Sequence, residues 1–246
     1  MTTRVRPDDR DPPAVTQGAT VLAARRLYRF FRTAQEETLA VAAVTLTVAA
    51  GERVAVAGPS GSGKSTLLAL LAGLDEPDGG TVLVAGVAIS HRPEAERARL
   101  RAAHIGVLYQ YGNLLEHLTV GQNLRFARSL VDGRGGHRCP LDLTARLAAV
   151  GIASLAGALP AQLSGGQAAR AALAVALVND PPLLIADEPT AELDADSEQQ
   201  VLALLSAQAR AGTAIVVASH SPRVLATCDR VIRLHDGAVV ADGGPA

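Results

Sequence analysis

The sequence predicts an α/β fold, in which buried strands alternate with helices along the chain. Short apolar runs rich in valine, leucine and isoleucine occupy residues 53–57, 183–186 and 214–218 and are typical of buried strands. A stretch compatible with a helix at residues 67–71 follows the first run, and another at 167–178 precedes the second. With 246 residues, of which 48% are hydrophobic, the chain can bury the core of one large domain with subdomains.

The other elements are expected from local patterns. Apolar residues alternate over residues 38–48, which predicts a half-buried strand that leads into the strand at 53–57. Pro181 and Pro182 cannot continue a helix, so they separate the helix at 167–178 from the strand that follows. We further expect a turn at 75–80, a strand at 81–84, helices at 92–102 and 141–150, and a hairpin at 230–240 that turns at Asp236 and Gly237.

A glycine-rich loop follows the strand at 53–57. Of the chain's 23 lysine and arginine residues, only Lys64 is a lysine, and it lies in this loop. A planar guanidinium is too broad for a tight backbone loop, whereas a compact ammonium can enter it and contact phosphate oxygens. The pattern G-x-x-x-x-G-K-S between a strand and a helix predicts a phosphate-binding loop rather than a flexible linker, and hence a bound nucleoside triphosphate. The loop consists of Gly58, Pro59, Ser60, Gly61, Ser62, Gly63, Lys64, Ser65 and Thr66.

A second glycine-containing segment opens the helix expected at 167–178. Its hydroxyl group and two glycines lie in the first turn, where open backbone N–H groups and the positive end of the helix dipole favour an anion. The segment therefore predicts an anion-binding helix N-terminus. It consists of Leu163, Ser164, Gly165, Gly166 and Gln167.

Acidic residues follow the buried strand at 183–186. Asp187, at the end of this strand, is placed to hold Mg²⁺ through its water shell. The adjacent Glu188 can polarise an attacking water molecule. Asp194 follows a few residues later, and His220 lies just beyond the strand at 214–218. The remaining histidines show no ligand spacing and are expected to be incidental: His91, His104, His117, His137 and His235.

In this order and combination, the motifs resemble those of the nucleotide-binding subunit of ABC transporters, from about residue 22 to residue 243. The resemblance implies a phosphate-loop NTPase core with a small antiparallel β subdomain near the N-terminus and a helical subdomain inserted at about 93–163. The nucleotide-binding domain is then expected over 19–246, after a disordered tail at 1–18.

The resemblance also implies a role for each site residue. ATP is the implied substrate, with Mg²⁺ as its cofactor. Catalytic roles fall on Lys64 of the Walker A loop, the Q-loop glutamine Gln110, the general base Glu188 and the switch histidine His220. Mg²⁺ is assigned to Ser65, Gln110 and the Walker B residue Asp187, and Asp194 is the D-loop residue. In the family, the signature segment 163–167 contacts ATP bound to the other subunit. Because the chain has one Walker A loop and one signature, we expect a head-to-tail homodimer, or a heterodimer with a second ABC ATPase.

The aromatic residues suggest where adenine binds. In the family an aromatic ring before the first strands stacks on adenine, and alignment through Gly51 and Glu52 favours Phe31. Tyr28 is the alternative, and either ring could instead simply pack the β subdomain. Tyr109 and Tyr111 flank Gln110. These two rings could either pack within the helical subdomain or take part in coupling.

One position departs from the family pattern after the signature. Val175 replaces a usual arginine, which puts in doubt some salt bridging but none of the catalytic groups. Arg170 matches the family's arginine on this helix and is expected in an intersubunit or structural ion pair.

Composition limits the possible partners. With a formal net charge of −1, the chain lacks the excess positive charge expected of a protein that binds nucleic acid. The longest apolar run, 171–178, is far too short to span a membrane, and the charged residues at 1–13 do not form a signal peptide. Cys139 and Cys228 have no metal or disulfide spacing and are expected to be inert in a reducing cytosol.

The process that the ATPase drives is predicted from a subfamily resemblance. Residues 103–120 are similar to the coupling stretch of the lipoprotein-releasing and macrolide-exporter branch. We therefore expect a subunit at the cytoplasmic face of the membrane, in a bacterium, bound to a separate integral membrane permease. The alternative is a regulatory ATPase of the cell-division type, which signals through a membrane partner. A soluble ABC ATPase of translation or chromosome maintenance is disfavoured by the single Walker A loop and by the short interval from Gln110 to Ser164.

Overall fold

The structure is a computed structural model that describes residues 19–32, 37–131 and 141–244. The tail expected at 1–18 and Cys139 lie outside these residues. Two sheets organise the described chain, one wholly antiparallel and one mainly parallel. The expected α/β architecture with an antiparallel sheet is confirmed.

The antiparallel sheet has four strands in the order β2-β1-β4-β5. They are β1 (Thr20–Arg32), β2 (Glu37–Ala49), β4 (Gly79–Val84) and β5 (Val87–Ala88). The sequence pattern predicts no strand at β1, because its arginines interrupt the alternation of apolar residues. Register shifts explain the broken pattern, since Arg26 (φ 48°) and the partner-strand residue Ala43 (φ 54°) adopt left-handed conformations typical of bulges.

The second sheet has six strands in the order β10-β9-β3-β8-β7-β6. They are β3 (Arg53–Ala57), β6 (Ile105–Leu108), β7 (Leu183–Asp187), β8 (Ala214–Ala218), β9 (Arg230–His235) and β10 (Ala238–Gly243). All neighbours are parallel except β9 and β10, which form the predicted hairpin through Asp236 and Gly237. The carboxyl ends of β3, β7 and β8 therefore meet at one edge of the sheet, where ligands of such sheets bind.

Seven α-helices flank the sheets within the described ranges. They are α1 (Lys64–Leu71), α2 (Glu94–His104), α3 (Val120–Ser129), α4 (Leu143–Ala149), α5 (Gly165–Leu177), α6 (Ala195–Arg210) and α7 (Pro222–Thr227). Helix α2 begins two residues later than predicted, because Pro93 is its N-cap. Helix α3 had no predicted counterpart, although Thr119 and Gln122 form a capping box at its start.

Three apolar clusters hold these layers together. One joins the antiparallel sheet, α1 and one face of the parallel sheet, with Leu67 and Leu71 fully buried. A second lies beneath α5 and α6 on the other face of the parallel sheet. The third joins α3, α4 and α5 through Leu124, Leu147 and Ala171, which are also fully buried. Helix α5 is therefore shared between the last two clusters, and this packing fixes the position of its N-terminus. In the described part of the chain, the helices are all too short or too polar to cross a membrane.

Candidate active site

The phosphate loop joins the end of β3 to the first turn of α1. Gly58, Gly61 and Gly63 have φ angles of 155°, 79° and 97°, a range that L-residues with side chains rarely adopt. A Cβ atom on Gly63 would lie 2.2 Å from the Ala40 carbonyl oxygen, and one on Gly58 would lie 2.4 Å from that of Leu234. The loop therefore needs glycine for two reasons, its backbone conformation and its close contact with β2 and β9.

The Lys64 ammonium crosses this loop. Its Nζ atom donates to the carbonyl oxygens of Gly58 and Pro59, each at 2.9 Å. These contacts hold the ammonium over the turn of backbone where phosphate oxygens are expected. Ser65 and Thr66 follow in the first turn of α1, and Ser65 is exposed.

Glu188 and His220 are brought together by the pairing of β7 with β8. Asp187 lies opposite Ala218, and the Glu188 N–H donates to the Ala218 carbonyl at 2.9 Å. The Ser219 hydroxyl donates to Glu188 Oε2 at 3.0 Å, and His220 Nδ1 lies 2.7 Å from Glu188 Oε1. The Glu188 side chain is 16% exposed, against 77% for His220. A shielded carboxylate with both oxygens held in place can orient a water molecule.

The Glu188 backbone is left-handed, with φ 46°. Such conformations are uncommon for residues with side chains and are found disproportionately at functional sites. Here the hydrogen bond from the Glu188 N–H to Ala218 holds the backbone in place.

Gln110 follows β6 in a short loop that its neighbours stabilise. Asn113 brackets Tyr109, because its Oδ1 accepts from the Tyr109 N–H at 2.7 Å and its Nδ2 donates to the Tyr109 carbonyl at 2.6 Å. Gln110 Nε2 donates to the Tyr111 hydroxyl at 3.1 Å, and that hydroxyl donates to Glu192 Oε1 at 2.5 Å. Glu192 thus has a specific partner, and its hydrogen bond raises the pKa of Tyr111. Burial raises the pKa of Tyr109.

A cavity of about 330 Å³ connects three of the motifs. Gln110, Glu188 and Gly165 all line it, so the structure brings the loop after β6, the loop after β7 and the start of α5 to one space. Pro189, Ala191 and Leu193 complete the wall on the β7 side.

Ser164 caps α5. Its Oγ accepts from the Gln167 N–H at 3.3 Å, while Gln167 Oε1 accepts from the Ser164 N–H at 2.9 Å, which completes a capping box. The first-turn amides of Gly165 and Gly166 have no intrahelical acceptor by the geometry of a helix start. Ser164 and Gly165 are exposed, so this helix end faces outward, and Leu163 precedes it half-buried.

Asp194 caps the neighbouring helix α6. Its Oδ1 accepts from the N–H groups of Asp196 and Ser197 at 3.1 and 2.9 Å, and its Oδ2 accepts from the Ser197 hydroxyl at 2.8 Å. These bonds, chiefly the one from the Ser197 backbone, lower the pKa of Asp194. Ser197 also packs directly on Gly166, so the exposed starts of α5 and α6 lie side by side.

Phe31 lies at the end of the hairpin formed by β1 and β2. Its ring is 44% exposed, with the Arg29 guanidinium 5.1 Å from the ring centre. Phe31 pairs with Thr38, two residues before Ala40, whose carbonyl adjoins Gly63 of the phosphate loop. The alternative ring, Tyr28, packs against Gly79, where its Cδ2 would lie 3.4 Å from an added Cβ. Its greater exposure favours Phe31 over Tyr28 as the ring that meets a ligand.

The hydrogen bonds of two side chains were not predicted from the sequence. Within the protomer, Arg170 bonds Gln200 of α6 through its guanidinium. Glu198 was not predicted as a site residue, although it accepts hydrogen bonds from Thr190 and Ser221. The sequence signal that could have pointed to these contacts was a hydroxyl residue after each motif, Thr190 after β7 and Ser221 after β8.

Metal binding can be judged from the types of side chain at the site. Within residues 19–32, 37–131 and 141–244, no group of three or more His, Cys, Asp or Glu side chains could hold a metal ion. The Ser65 hydroxyl, the Asp187 carboxylate and the Gln110 amide oxygen are instead the hard oxygen donors that Mg²⁺ prefers when nucleotide phosphates supply further ligands. The residues present therefore fit Mg²⁺ bound together with a nucleotide.

Comparison with known proteins decides the family. A family model described as ABC transporter matches residues 41–191. The chain belongs to the ABC transporter family. It is 39% identical to the lipoprotein-releasing system ATP-binding protein LolD of Chromohalobacter salexigens, over 94% of this chain and 98% of that protein. It is 40% identical to the macrolide export ATP-binding/permease protein MacB of Rhodopirellula baltica, over 88% of this chain but 32% of that protein. The chain thus spans about a third of its MacB relative.

Solved structures agree with this assignment. The fold matches the dimeric structure of MJ0796, a bacterial ABC transporter cassette, with a TM-score of 0.81, 31% identity and coverage of 92% of this chain and 99% of the other. The same cassette in a post-hydrolysis state bound to ADP and phosphate matches equally well. This ABC transporter cassette therefore binds ATP and is an ATPase, of the branch that contains the lipoprotein-release and macrolide-export proteins.

Proposed function

We propose that this cassette hydrolyses ATP by a water-mediated attack on the γ-phosphate that Glu188 assists. The observation that carries the proposal is the Glu188 carboxylate, which is largely shielded and held through one oxygen by Ser219 and through the other by His220. Lys64 and the amides of the loop from Gly58 to Thr66 would stabilise the β- and γ-phosphates. Phosphoryl transfer to water depends mainly on positioning and charge stabilisation, which these residues supply.

The oxygen donors named above would hold Mg²⁺ when nucleotide is bound. Ser65 lies in the first turn of α1, and Asp187 ends β7 directly before Glu188. Gln110 would supply an amide oxygen and respond to the γ-phosphate. The metal would neutralise charge that develops on the phosphate oxygens. Phe31 would stack on the adenine ring from its exposed position on β1.

The active unit would be a head-to-tail dimer around two ATP molecules. Ser164 and Gly165 are exposed beside Asp194, so one face of the protomer presents an anion-binding helix end together with the D-loop residue. The relative MJ0796 was solved as a dimeric cassette. Segment 163–167 of each protomer would contact the γ-phosphate in its partner. A homodimer is the simplest such assembly, and a heterodimer with another ABC ATPase has the same geometry.

A membrane permease would be the partner that ATP hydrolysis drives. The relatives of this branch are named for lipoprotein release and macrolide export, which favours transport over a regulatory role of the cell-division type. Tyr111, Leu115 and Phe126 are 60%, 39% and 49% exposed around the stretch after Gln110. These apolar side chains would receive short loops of the permease and hold the cassette at the cytoplasmic face of the membrane.

The dimer is tested with Glu188→Gln. This variant should bind ATP without completing hydrolysis, so its mass by light scattering should double at saturating Mg-ATP and return to one protomer with ADP. A second variant, Glu188→Gln with Ser164→Arg, places a bulky cation at the signature and should remain monomeric. A Glu188→Gln protein that stays monomeric with ATP would contradict the mechanism.

The partner is tested by purifying Glu188→Gln from its native membranes with ATP present. A co-purified polytopic permease would support transport. A partner with few spans, together with a hydrolase or its activator, would favour the regulatory alternative. Recovery of soluble proteins alone would reject a membrane partner, while leaving the ATPase mechanism to the dimer experiment.

A further inference from the structure

Glu198 lies one turn beyond Asp194 on α6 and joins three segments of the chain. Its side chain is 13% exposed. Oε1 accepts from the Thr190 hydroxyl at 3.3 Å and from the Ser221 hydroxyl at 3.1 Å, and Oε2 accepts from Arg223 at 3.2 Å. One carboxylate on α6 thus binds the loop after β7, the loop after β8 and helix α7.

A continuous route of hydrogen bonds leads from Glu198 to Glu188. The Ser221 side chain donates to Glu198, and the Ser221 backbone N–H donates to Ser219 Oγ at 3.1 Å. The Ser219 hydroxyl, which is 1% exposed, then donates to Glu188 Oε2 at 3.0 Å. Three bonds therefore separate the helix that Asp194 begins from the carboxylate proposed to orient water.

The direction of these bonds matters. A serine hydroxyl has one proton and can turn about its C–O bond. Because Ser219 Oγ accepts from the Ser221 N–H, its own proton is directed toward Glu188. The hydrogen bond from the Ser221 side chain to Glu198 holds Ser221, and with it the Ser221 N–H, in place. Loss of the Glu198 carboxylate would leave Ser221 and the buried Thr190 without this acceptor and would loosen the placement of Glu188.

We propose that Glu198 is a positioning residue for ATP hydrolysis, which makes the orientation of the Glu188 carboxylate depend on α6 and hence on the D-loop at the start of that helix. The inference rests on the proposed role of Glu188. Glu198 contacts Thr190, Ser221 and Arg223, which are not assigned to ATP or Mg²⁺ binding, so it should affect turnover more than ATP binding. A purely structural clamp between α6 and α7 would instead lower thermal stability without changing the turnover of the folded protein.

The first test compares Glu198→Ala, Glu198→Gln and the control Gln199→Ala in steady-state ATPase assays. Gln199 is the next residue on α6 and is exposed, so its variant controls for a side-chain change on the same helix. We expect Glu198→Ala to lower kcat about ten-fold with KM for Mg-ATP within about two-fold, the loss expected for a hydrogen bond to a charged group. Glu198→Gln keeps one oxygen acceptor and should lose less. Unchanged kcat in Glu198→Ala, or a rise in KM alone, would overturn the proposal.

The exposed ion pair needs its own control. Arg223→Ala removes the contact to Glu198 Oε2 but leaves the bonds from Ser221 and Thr190. Its kcat should match that of the parent protein. A loss equal to that of Glu198→Ala would assign the effect to the ion pair and would reject the serine route.

A double-mutant cycle with Ser219→Ala tests the route itself. If Glu198 acts through Ser219, the second substitution should cost little once the first is present, and the combined loss should stay near the larger single loss. Fully multiplicative losses would overturn the proposal. Glu188→Gln is assayed in parallel. Retained turnover in this variant would refute the role of Glu188. Abolished turnover in Glu188→Gln, together with fully multiplicative losses from the Glu198 and Ser219 substitutions, would refute this inference alone.

Discussion

Nδ1 of His220 lies 2.7 Å from Oε1 of Glu188, so the exposed imidazole and the shielded carboxylate form a hydrogen-bonded pair. The ring atom that faces a carboxylate is the one that carries a proton. Nε2 is then left for a second partner beyond Glu188. The pair therefore constrains the Glu188 side chain from one side while Ser219 constrains it from the other.

His220→Ala should lower kcat by about 100-fold, because Glu188 loses one of its two fixing contacts. ATP binding, measured by equilibrium dialysis or nucleotide fluorescence, should weaken far less. His117→Ala, which removes another exposed imidazole, is the matched control and should retain the parental kcat. Equal kcat values for the two variants would exclude a role for His220 in the chemical step.

Gly166→Ala should destabilise the protein by about 1–3 kcal/mol. A Cβ atom at this position would lie 2.3 Å from Ser197 Oγ and 2.8 Å from Ser197 Cβ, so a rotation of the serine side chain cannot relieve the clash. The measurement is the free energy of unfolding by urea. Gly165→Ala is the control, because the nearest atom beyond the adjoining backbone is 3.8 Å from its Cβ position.

Ser197→Gly should restore part of the stability lost in Gly166→Ala, because it removes both clashing atoms. The rescue will be incomplete, since Ser197 Oγ also donates to the helix-capping Asp194. A double variant no more stable than Gly166→Ala would show that the contact between α5 and α6 is not the cause.

The sequence was sufficient for those parts of the site that depend on local chemistry. The loop around Lys64, the strands that precede Glu188 and His220, and the helix start near Ser164 all follow from residue type and spacing. The contacts between segments could not be predicted in this way. The bond from Tyr111 to Glu192 spans 81 positions and that from Ser221 to Glu198 spans 23, and each depends on tertiary packing that brings two distant segments together. Strand β1 was missed for a related reason, because its bulges are set by pairing with β2.

Tyr111→Phe should lower the KM for Mg-ATP about two- to five-fold with little change in kcat. In this structure the Tyr111 hydroxyl accepts from Gln110 and donates to Glu192, and under the proposed role Gln110 gives up this contact when its amide turns toward Mg²⁺. Removing the hydroxyl eliminates one exposed hydrogen bond that opposes the move, and an equilibrium shifts by the free energy of the bond that is lost. Tyr109→Phe alters the neighbouring ring and leaves the Gln110 contact in place. If KM rises in Tyr111→Phe, the tyrosine supports the nucleotide-bound arrangement instead.

Cys228 should make the folded protein less stable as pH rises from about 9 to about 11. Burial raises the pKa of its thiol from 9.0 to about 11, and Sγ donates to the Val224 carbonyl at 3.4 Å. Between these pH values the unfolded thiol is ionised while the folded thiol keeps its proton. The folded state then binds more protons, so the free energy of unfolding decreases as pH rises. Below pH 9 both states are protonated and the contribution is fully present.

The measurement is urea unfolding at pH 8, 9.5 and 10.5 of a Cys139→Ser protein with and without Cys228→Ala. The difference in unfolding free energy between the two proteins should shrink across this range, because alanine has no proton to lose and other titrating groups cancel. A constant difference would mean that the folded and unfolded thiols titrate alike. As an independent check, the Cys228 thiol should resist a disulfide reagent at pH 8 in the folded protein and react fully in urea, since the thiolate is the reactive form.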